Sequence, residues 1–270
     1  MRRVDVGEVL RTKAPGLAAK LPRFVIRAVE KFICQDELNA LLEHNEGLTG
    51  VDFAEGVVNE LGIDVRPVRG EWPENPRVIF VSNHPLGGLD GLVLSALVGR
   101  HYRRRDIKFV VNDLLTYVDP LRDIFIGVNK HGAQSKESAE KLDAAFAGDA
   151  PVLMFPAGLV SRKQPDGSIA DLKWNKMAVN KAIFYHRDII PVYFDGENSQ
   201  FFYNFARLRT KLGLKFNFEQ LRLPRELVGS KGKSVGITIG EPIAWTSLRG
   251  GRDALAEAAR LRAAVYALRP

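Results

Sequence analysis

Short apolar runs separated by turn residues fill most of the chain from Ile63 onward, and they restrict its fold more than any other sequence feature. The predicted strands are Val65–Val68, Val78–Val81, Ile107–Val111, Ile124–Val128, Val152–Phe155, Ile189–Phe194 and Val235–Ile239. Segments with helical periodicity lie between several strands, at Leu92–Val98, Glu137–Ala147 and Lys176–His186. Apolar strands that alternate with helices predict an α/β fold, in which helices cover both faces of a mostly parallel or mixed β-sheet.

Residues 1–65 do not share this pattern and predict an N-terminal helical subdomain, so the α/β domain is expected over residues 66–270. Pro22 favours a helix start, because proline fits the first helical turn, where its missing N–H is not needed. Helices are predicted from Pro22, from Asp36, over Asp52–Leu61 and, at the other end of the chain, over Asp253–Leu268.

The helix after Pro22 carries an apolar stripe that includes Phe24 and Phe32, with Arg23 and Arg27 beside it. Packing between helices is the favoured interpretation of this stripe. A basic amphipathic helix that lies on a membrane surface is the alternative, and it would make residues 1–65 the part of the chain that contacts the membrane.

The charge balance predicts a basic surface and anionic partners. The chain has 39 basic and 32 acidic residues, a formal net charge of +7 and a sequence pI of about 9.5. Its single cysteine, Cys34, excludes an intramolecular disulfide and a cysteine-rich zinc site, and it makes a reducing cytoplasm the expected location. With no recognisable signal peptide or bilayer-spanning run, we expect any membrane contact to be at the surface.

The stretch Arg77–Gly91 places polar residues at the carboxyl end of a predicted strand, where open α/β sheets bind their ligands. Asp90 can accept a hydrogen bond from one ring nitrogen of His84, which leaves the other nitrogen to act as a general base on a hydroxyl. Gly87 and Gly88 allow the sharp turn and leave backbone room for a substrate. Taken alone, the pair has a second interpretation, in which His84 caps the loop and Asp90 caps the following helix.

Further motifs follow in order, and together with this stretch they resemble one family over about Val78 to Phe202. They are SNHPLGGLDG, FVVNDLL (Phe109–Leu115), DPLRDIFIGVNKHG (Asp119–Gly132), MFPAGLVSRK (Met154–Lys163), DLKW (Asp171–Trp174) and IIPVYFDGENSQFFY (Ile189–Tyr203). The set resembles the lysophosphatidic acid acyltransferase-like glycerolipid acyltransferases. It is most similar to the bacterial branch that includes proteins called hemolysins and lyso-ornithine-lipid acyltransferases.

The resemblance implies that His84 is a catalytic base and that Asp90 orients it. It also implies substrate contacts beside the base, after the middle strand and in the turn after the next strand. The predicted substrate-binding residues are Asn83, Gly87, Gly88, Asn129, Lys130, Gly158, Ser161, Arg162 and Lys163. Arg162 and Lys163 are interpreted as a clamp for an acceptor phosphate or carboxylate, with a solvated basic pair as the alternative.

Three departures from the family pattern bear on the acceptor. Five residues separate His84 from Asp90, where the wider family has four, although the bacterial branch uses this longer spacing. Asn129 and Lys130 stand where the family usually has an arginine, and Ala157 replaces the glutamate of a Phe-Pro-Glu-Gly motif. The last two changes leave the acceptor open between a lyso-amino-acid lipid, such as lyso-ornithine or lyso-glycine lipid, and lysophosphatidate.

The resemblance implies an O-acyltransferase that moves a fatty acyl group from an acyl thioester to the hydroxyl of a lyso-lipid. The co-substrate is expected to be acyl carrier protein or coenzyme A thioester, with no resident cofactor and no metal. The expected partners are this donor, a lyso-lipid and an anionic membrane surface on the inner face of the cell membrane, and no nucleic acid. Ala157 motivates the alternative, a membrane- or carrier-binding member of the same fold with reduced catalysis.

Overall fold

The computed structural model of the protein describes residues 3–13, 16, 21–128, 135–214 and 217–270. Its strands are β1 (Asp64–Val65), β2 (Ile79–Ser82), β3 (Lys108–Asn112), β4 (Phe125–Val128), β5 (Val152–Met154), β6 (Arg162–Lys163), β7 (Ile169–Ala170), β8 (Ile189–Asp195) and β9 (Ser234–Ile239). Seven of them form one sheet in the order β1-β9-β8-β2-β5-β3-β4, which is parallel except where β8 pairs with β9. Strands β6 and β7 form a separate antiparallel pair.

Helices cover both faces of this sheet. The α-helices of the described residues are α1 (Val6–Lys13), α2 (Arg23–Phe32), α3 (Gln35–His44), α4 (Gly50–Glu60), α5 (Gly88–Tyr102), α6 (Lys136–Ala147), α7 (Met177–Tyr185), α8 (Gln200–Lys211), α9 (Leu223–Val228) and α10 (Ala254–Ala267). Helices α4 and α5 pack on one face, and α6, α7 and α10 pack on the other. The predicted α/β class, with helices on both faces of a mostly parallel sheet, is confirmed.

The central strand β2 shows why its sequence suits this sandwich. All four of its residues are buried, and successive side chains point to opposite faces of the sheet. Phe80 joins the core beneath α4 and α5, whereas Ile79 and Val81 join the core beneath α6, α7 and α10. The first three positions of β2 therefore all need an apolar side chain, which is why Ile79, Phe80 and Val81 form a continuous apolar run before Ser82.

The N-terminal helices differ in how they contact the rest of the chain. Helix α2 begins after Pro22, as predicted, but none of its residues is fully buried, and the Phe24 side chain is 72% exposed. At the other end of α2, the Phe32 ring contacts Phe205 of α8 edge to face. Helix α4, by contrast, contributes to the core shared with the sheet. The division into 1–65 and 66–270 stays a prediction, although this core continues across it.

None of the helices in the described parts of the chain is long and apolar enough to cross a membrane.

Arg187 is a buried cation that joins α6 to the sheet. Its guanidinium donates to the carbonyl oxygens of Phe146 at 2.7 Å and Ala150 at 2.8 Å, and also to that of Gly148. The last carbonyls of a helix have no partner within it, and a buried carbonyl without a hydrogen bond is destabilising. Arg187 therefore satisfies the end of α6 and fixes the loop that enters β5.

Replacing Arg187 with methionine should lower the free energy of unfolding by about 3 kcal/mol, because several buried carbonyls lose their donor. Urea denaturation followed by circular dichroism measures the change. Arg252→Met is the matched control, since Arg252 is exposed, and it should shift stability by less than about 0.5 kcal/mol. Equal stability of the two variants would contradict the role given to Arg187.

Candidate active site

The turn between β2 and α5 carries the predicted catalytic pair. Asn83 follows β2, and its buried side-chain amide bonds both backbone groups of Phe194 in β8, at 2.7 and 2.9 Å. Gly87 closes the turn with a φ of +78°, which residues with a side chain rarely adopt, and α5 begins at Gly88. These contacts fix the turn against the neighbouring strand and place His84 at the carboxyl edge of the sheet.

His84 and Asp90 meet across this turn. Nδ1 of His84 lies 3.1 Å from each carboxylate oxygen of Asp90. Asp90 is fully buried in the first turn of α5, and its carboxylate also accepts the backbone N–H groups of Leu86 and Gly91, both at 2.9 Å. Because a carboxylate can only accept, this contact favours the neutral tautomer with the proton on Nδ1, in which Nε2 is the acceptor nitrogen. The pair has the geometry of a general base and its orienting group.

An aromatic wall holds the plane of the histidine ring. Phe155, directly after β5, stacks on His84 with ring centroids 4.1 Å apart and an angle of 16° between the planes. Phe109 of β3 packs edge to face on Phe155. The His84 side chain keeps 17% of its surface exposed, so the ring is fixed on one side and still reaches solvent.

A second buried carboxylate, Asp171, holds the backbone of His84. One oxygen of Asp171 accepts the N–H of His84 at 3.1 Å and the hydroxyl of Ser161 at 2.6 Å, and the other accepts the indole N–H of Trp174 at 2.9 Å. The N–H of Ser161 donates in turn to the carbonyl of His84 at 2.8 Å. Both backbone groups of His84 are therefore bonded by this network, and burial raises the pKa of the Asp171 carboxyl.

Sequence reasoning did not give Asp171 a role, although the DLKW motif contains it. The signal that could have identified Asp171 is its position three residues before Trp174, because a buried indole N–H needs a hydrogen-bond acceptor. Tyr266 of α10 completes the network, because its hydroxyl accepts the N–H of Asp171 at 2.7 Å. No local pattern marks Tyr266, because its contact is made across the fold.

The sequence was compared with known proteins. A family model described as acyltransferase matches residues 8–269, nearly the whole chain. The chain belongs to the acyltransferase family. The predicted family resemblance is confirmed, and so is the prediction of an enzyme of the acyltransferase class.

Two curated relatives of this acyltransferase carry the same name. The chain is 42% identical over 244 residues to the lyso-glycine lipid O-acyltransferase of Phocaeicola vulgatus, and the match covers 90% of the chain and 86% of that protein. It is 40% identical over 267 residues to the protein of that name from Bacteroides thetaiotaomicron, covering 98% and 97%. It also resembles the crystal structure of the 1-acyl-sn-glycerophosphate acyltransferase PlsC from Thermotoga maritima, with 14% identity, a TM-score of 0.44 and 91% of each chain covered.

Three predicted substrate-binding residues lie in or against the turns beside His84. The space that a side chain at Gly87 would fill is taken by Leu223 and Val160, so this glycine serves the packing of the turn. Gly158 adopts a φ of +63° in the turn after β5. Ser161 is buried and bonded to Asp171. Substrate contacts for Gly87, Gly158 and Ser161 stay predictions.

Arg162 points into the protein in this acyltransferase. It is buried, donates to Glu219 at 2.8 Å and lies over the ring of Phe202, with its guanidinium carbon 5.2 Å from the ring centroid. Arg209 of α8 pairs with the other oxygen of Glu219 at 3.1 Å. Because its guanidinium is bonded to protein, the clamp role predicted for Arg162 would require Glu219 to be displaced, and the geometry does not favour it.

Lys163 is half-buried in β6, where the alternation of the strand turns it away from Arg162. No ion-pair partner of Lys163 lies within the described residues. Asn129 and Lys130 lie outside the described residues. The substrate contacts of all three stay predictions.

Asp171→Asn should lower kcat about tenfold with little change in KM, because the asparagine NH2 must face one of three donors and loosens the backbone of His84. Steady-state acyl transfer measures both parameters. Asp166→Asn, in the exposed turn between β6 and β7, is the matched control and should behave as wild type. A wild-type kcat in Asp171→Asn would show that the network does not position the base.

Proposed function

We propose that this acyltransferase moves a fatty acyl group from an acyl thioester to the hydroxyl of a lyso-lipid, with His84 as general base. The observation that carries this proposal is the contact of His84 Nδ1 with both oxygens of the buried Asp90 at 3.1 Å. The contact leaves Nε2 free to accept a proton. The pair lies at the carboxyl edge of a mostly parallel sheet, where α/β proteins bind their ligands.

The proposed reaction has two linked transfers. Nε2 of His84 takes the proton of the acceptor hydroxyl while the hydroxyl oxygen attacks the thioester carbonyl. The carbon–sulfur bond then breaks, the acyl group stays on the acceptor oxygen, and the proton passes from His84 to the departing thiolate. Asp90 stabilises the imidazolium between these events, and no covalent acyl-enzyme forms.

The proposed acceptor is a lyso-amino-acid lipid, with lyso-glycine lipid as the leading candidate. The name shared by both relatives supports it, at about 40% identity over most of each chain. Such a lipid has a terminal carboxylate, and Lys163 after the β5 turn offers a cation for it. Lysophosphatidate is the second candidate, because its phosphate would suit the same cation.

The donor and the place of action complete the proposal. An acyl carrier protein and coenzyme A both present the required thioester, and both are anionic, which suits a chain of net charge +7. We propose that the protein works on the inner face of the cell membrane, bound to its anionic surface.

His84→Ala should lower kcat by about 10²- to 10⁴-fold, the usual contribution of a general base, and Asp90→Asn should lose a similar factor because the proton leaves Nδ1. The assay gives purified protein an acyl thioester and lyso-glycine lipid, lyso-ornithine lipid or lysophosphatidate. His44→Ala is the control, because His44 is exposed in α3 and paired with Glu60. Full activity of His84→Ala would refute the mechanism.

The same activity assay, combined with a measurement of vesicle binding, separates the proposal from its alternative. If the wild-type protein binds vesicles but turns over none of the three acceptors, the chain is a binding member of the fold with reduced catalysis. Turnover that vanishes in His84→Ala supports the enzyme, and the preferred acceptor identifies its substrate.

A further inference from the structure

Helix α8 is apolar on two opposite faces. Phe202, Tyr203 and Ala206 form its buried face, which packs toward Val160 and Arg162. The other face carries large apolar side chains at i, i+7 and i+11, and these lie within a narrow angle on a helix. They are Phe201, Leu208 and Leu212, which are 50, 53 and 64% exposed. A helix that packs on a core needs only one apolar face, so the outer one requires its own explanation.

Two further exposed apolar side chains follow the helix in the sequence. Leu214 and Leu221 are also exposed, and the segment Phe218–Arg222 packs against α8. Arg222 lies over the ring of Phe201, with its guanidinium carbon 4.2 Å from the centroid. We call the resulting surface the α8 face, and it consists of Phe201, Leu208, Leu212, Leu214 and Leu221.

The exposed charged residues of the segment that carries the α8 face are of one sign. From Phe201 to Arg222 the sequence contains five basic residues and one acid, Glu219. Glu219 is fully buried between Arg162 and Arg209, so it adds no negative charge to the surface. Arg207 and Lys211 are exposed on one flank of the apolar stripe. Large apolar side chains flanked by cations are typical of helices that lie in the interface of an anionic bilayer.

The α8 face belongs to an element that contacts the catalytic turn. Asn198, two residues before α8, donates from its side chain to the carbonyl of Pro85 at 3.0 Å. The Ser199 hydroxyl caps α8 by accepting the N–H of Phe202. A surface that rests on the membrane through α8 would therefore hold the His84 turn close to the lipid, which is where an amphiphilic acceptor resides.

We propose that the α8 face docks the protein onto an anionic lipid bilayer; this deepens the proposed function, because it rests on a lyso-lipid being the acceptor. An acidic carrier protein would also meet Arg207 and Lys211. The five large apolar side chains favour the bilayer, since hydrocarbon covers exposed apolar side chains without needing a surface complementary in shape.

Vesicle co-sedimentation tests the proposal. The variant Leu208→Glu/Leu212→Glu should partition at least about tenfold more weakly than wild type onto vesicles that mix phosphatidylglycerol with phosphatidylcholine. The matched control is Phe184→Glu/Leu255→Glu, which alters exposed apolar residues on α7 and α10. This control should bind as wild type. Equal binding of the two double variants would overturn the proposal.

Activity distinguishes this proposal from the proposed function. Leu208→Glu/Leu212→Glu should retain turnover of a short-chain, water-soluble lyso-lipid and lose turnover of the same headgroup embedded in vesicles. His84→Ala should lose both turnovers and still bind vesicles. If neither the wild type nor the variants turn over any acceptor while the vesicle binding follows the pattern above, the proposed function fails and the docking surface stands.

A site-specific probe makes the test independent of charged substitutions. Leu212→Trp should show tryptophan emission that brominated phosphatidylglycerol vesicles quench beyond the wild-type background. Leu255→Trp on α10 should show no such added quenching. Equal quenching at both positions, or protection of Leu212→Trp only by added acyl carrier protein or by dimerisation of this chain, would overturn the bilayer as the partner.

Discussion

The carboxylate of Asp90 is removed from water at the start of α5, and this would be strongly unfavourable without compensating donors. Three N–H groups provide them: Nδ1 of His84 and the backbone amides of Leu86 and Gly91. The N-terminal end of α5 adds a favourable dipole. The same contacts therefore stabilise the buried charge, close the turn after β2 and fix the histidine tautomer. A change at Asp90 would alter all three together.

The two buried acids, Asp90 and Asp171, hold different parts of His84. Asp90 bonds the ring of His84, whereas Asp171 bonds its backbone N–H and also holds Ser161, whose own N–H bonds the carbonyl of His84. The ring and the main chain of one residue are thus fixed by different elements, α5 for the ring and the segments after β5 and β7 for the main chain. Fixing both removes rotational freedom from His84, and a preorganised side chain of this kind suits the general-base role proposed for it.

The sequence predicted the helices and strands whose apolar pattern is continuous. It did not predict contacts between residues that are far apart in the sequence. Strand β2 and helix α10 agree with their predicted ranges within a residue or two, because burial on one or both faces dictates their composition. The His84–Asp90 contact could be predicted because the two residues are six positions apart around one turn, whereas their catalytic roles were implied only by the family resemblance. Asp171 and Tyr266 were given no role, because the contacts of Asp171 with His84 and of Tyr266 with Asp171 join segments that are far apart in the sequence.

Contacts across the fold also affect the residues that were predicted to bind the acceptor. Arg162 looks like an open cation in the sequence, but Glu219, far along the chain, pairs with it in the interior. Helix α8 was not predicted, and only its first residues, 200–203, were noted, as the end of a motif. Its apolar residues fall on two faces, one buried and one exposed, and the sequence alone does not say which of them packs against the core.

The tautomer of His84 is the most direct test of this description of the site. Nitrogen-15 spectroscopy of histidine-labelled protein, at alkaline pH where the imidazoles are neutral and with His84→Ala to assign the signals, distinguishes a protonated from an unprotonated ring nitrogen. We expect Nδ1 of His84 to be protonated and Nε2 to be unprotonated, and Asp90→Asn to disturb this state. A neutral His84 with its proton on Nε2 would contradict the assignment of this residue as the base that Asp90 orients.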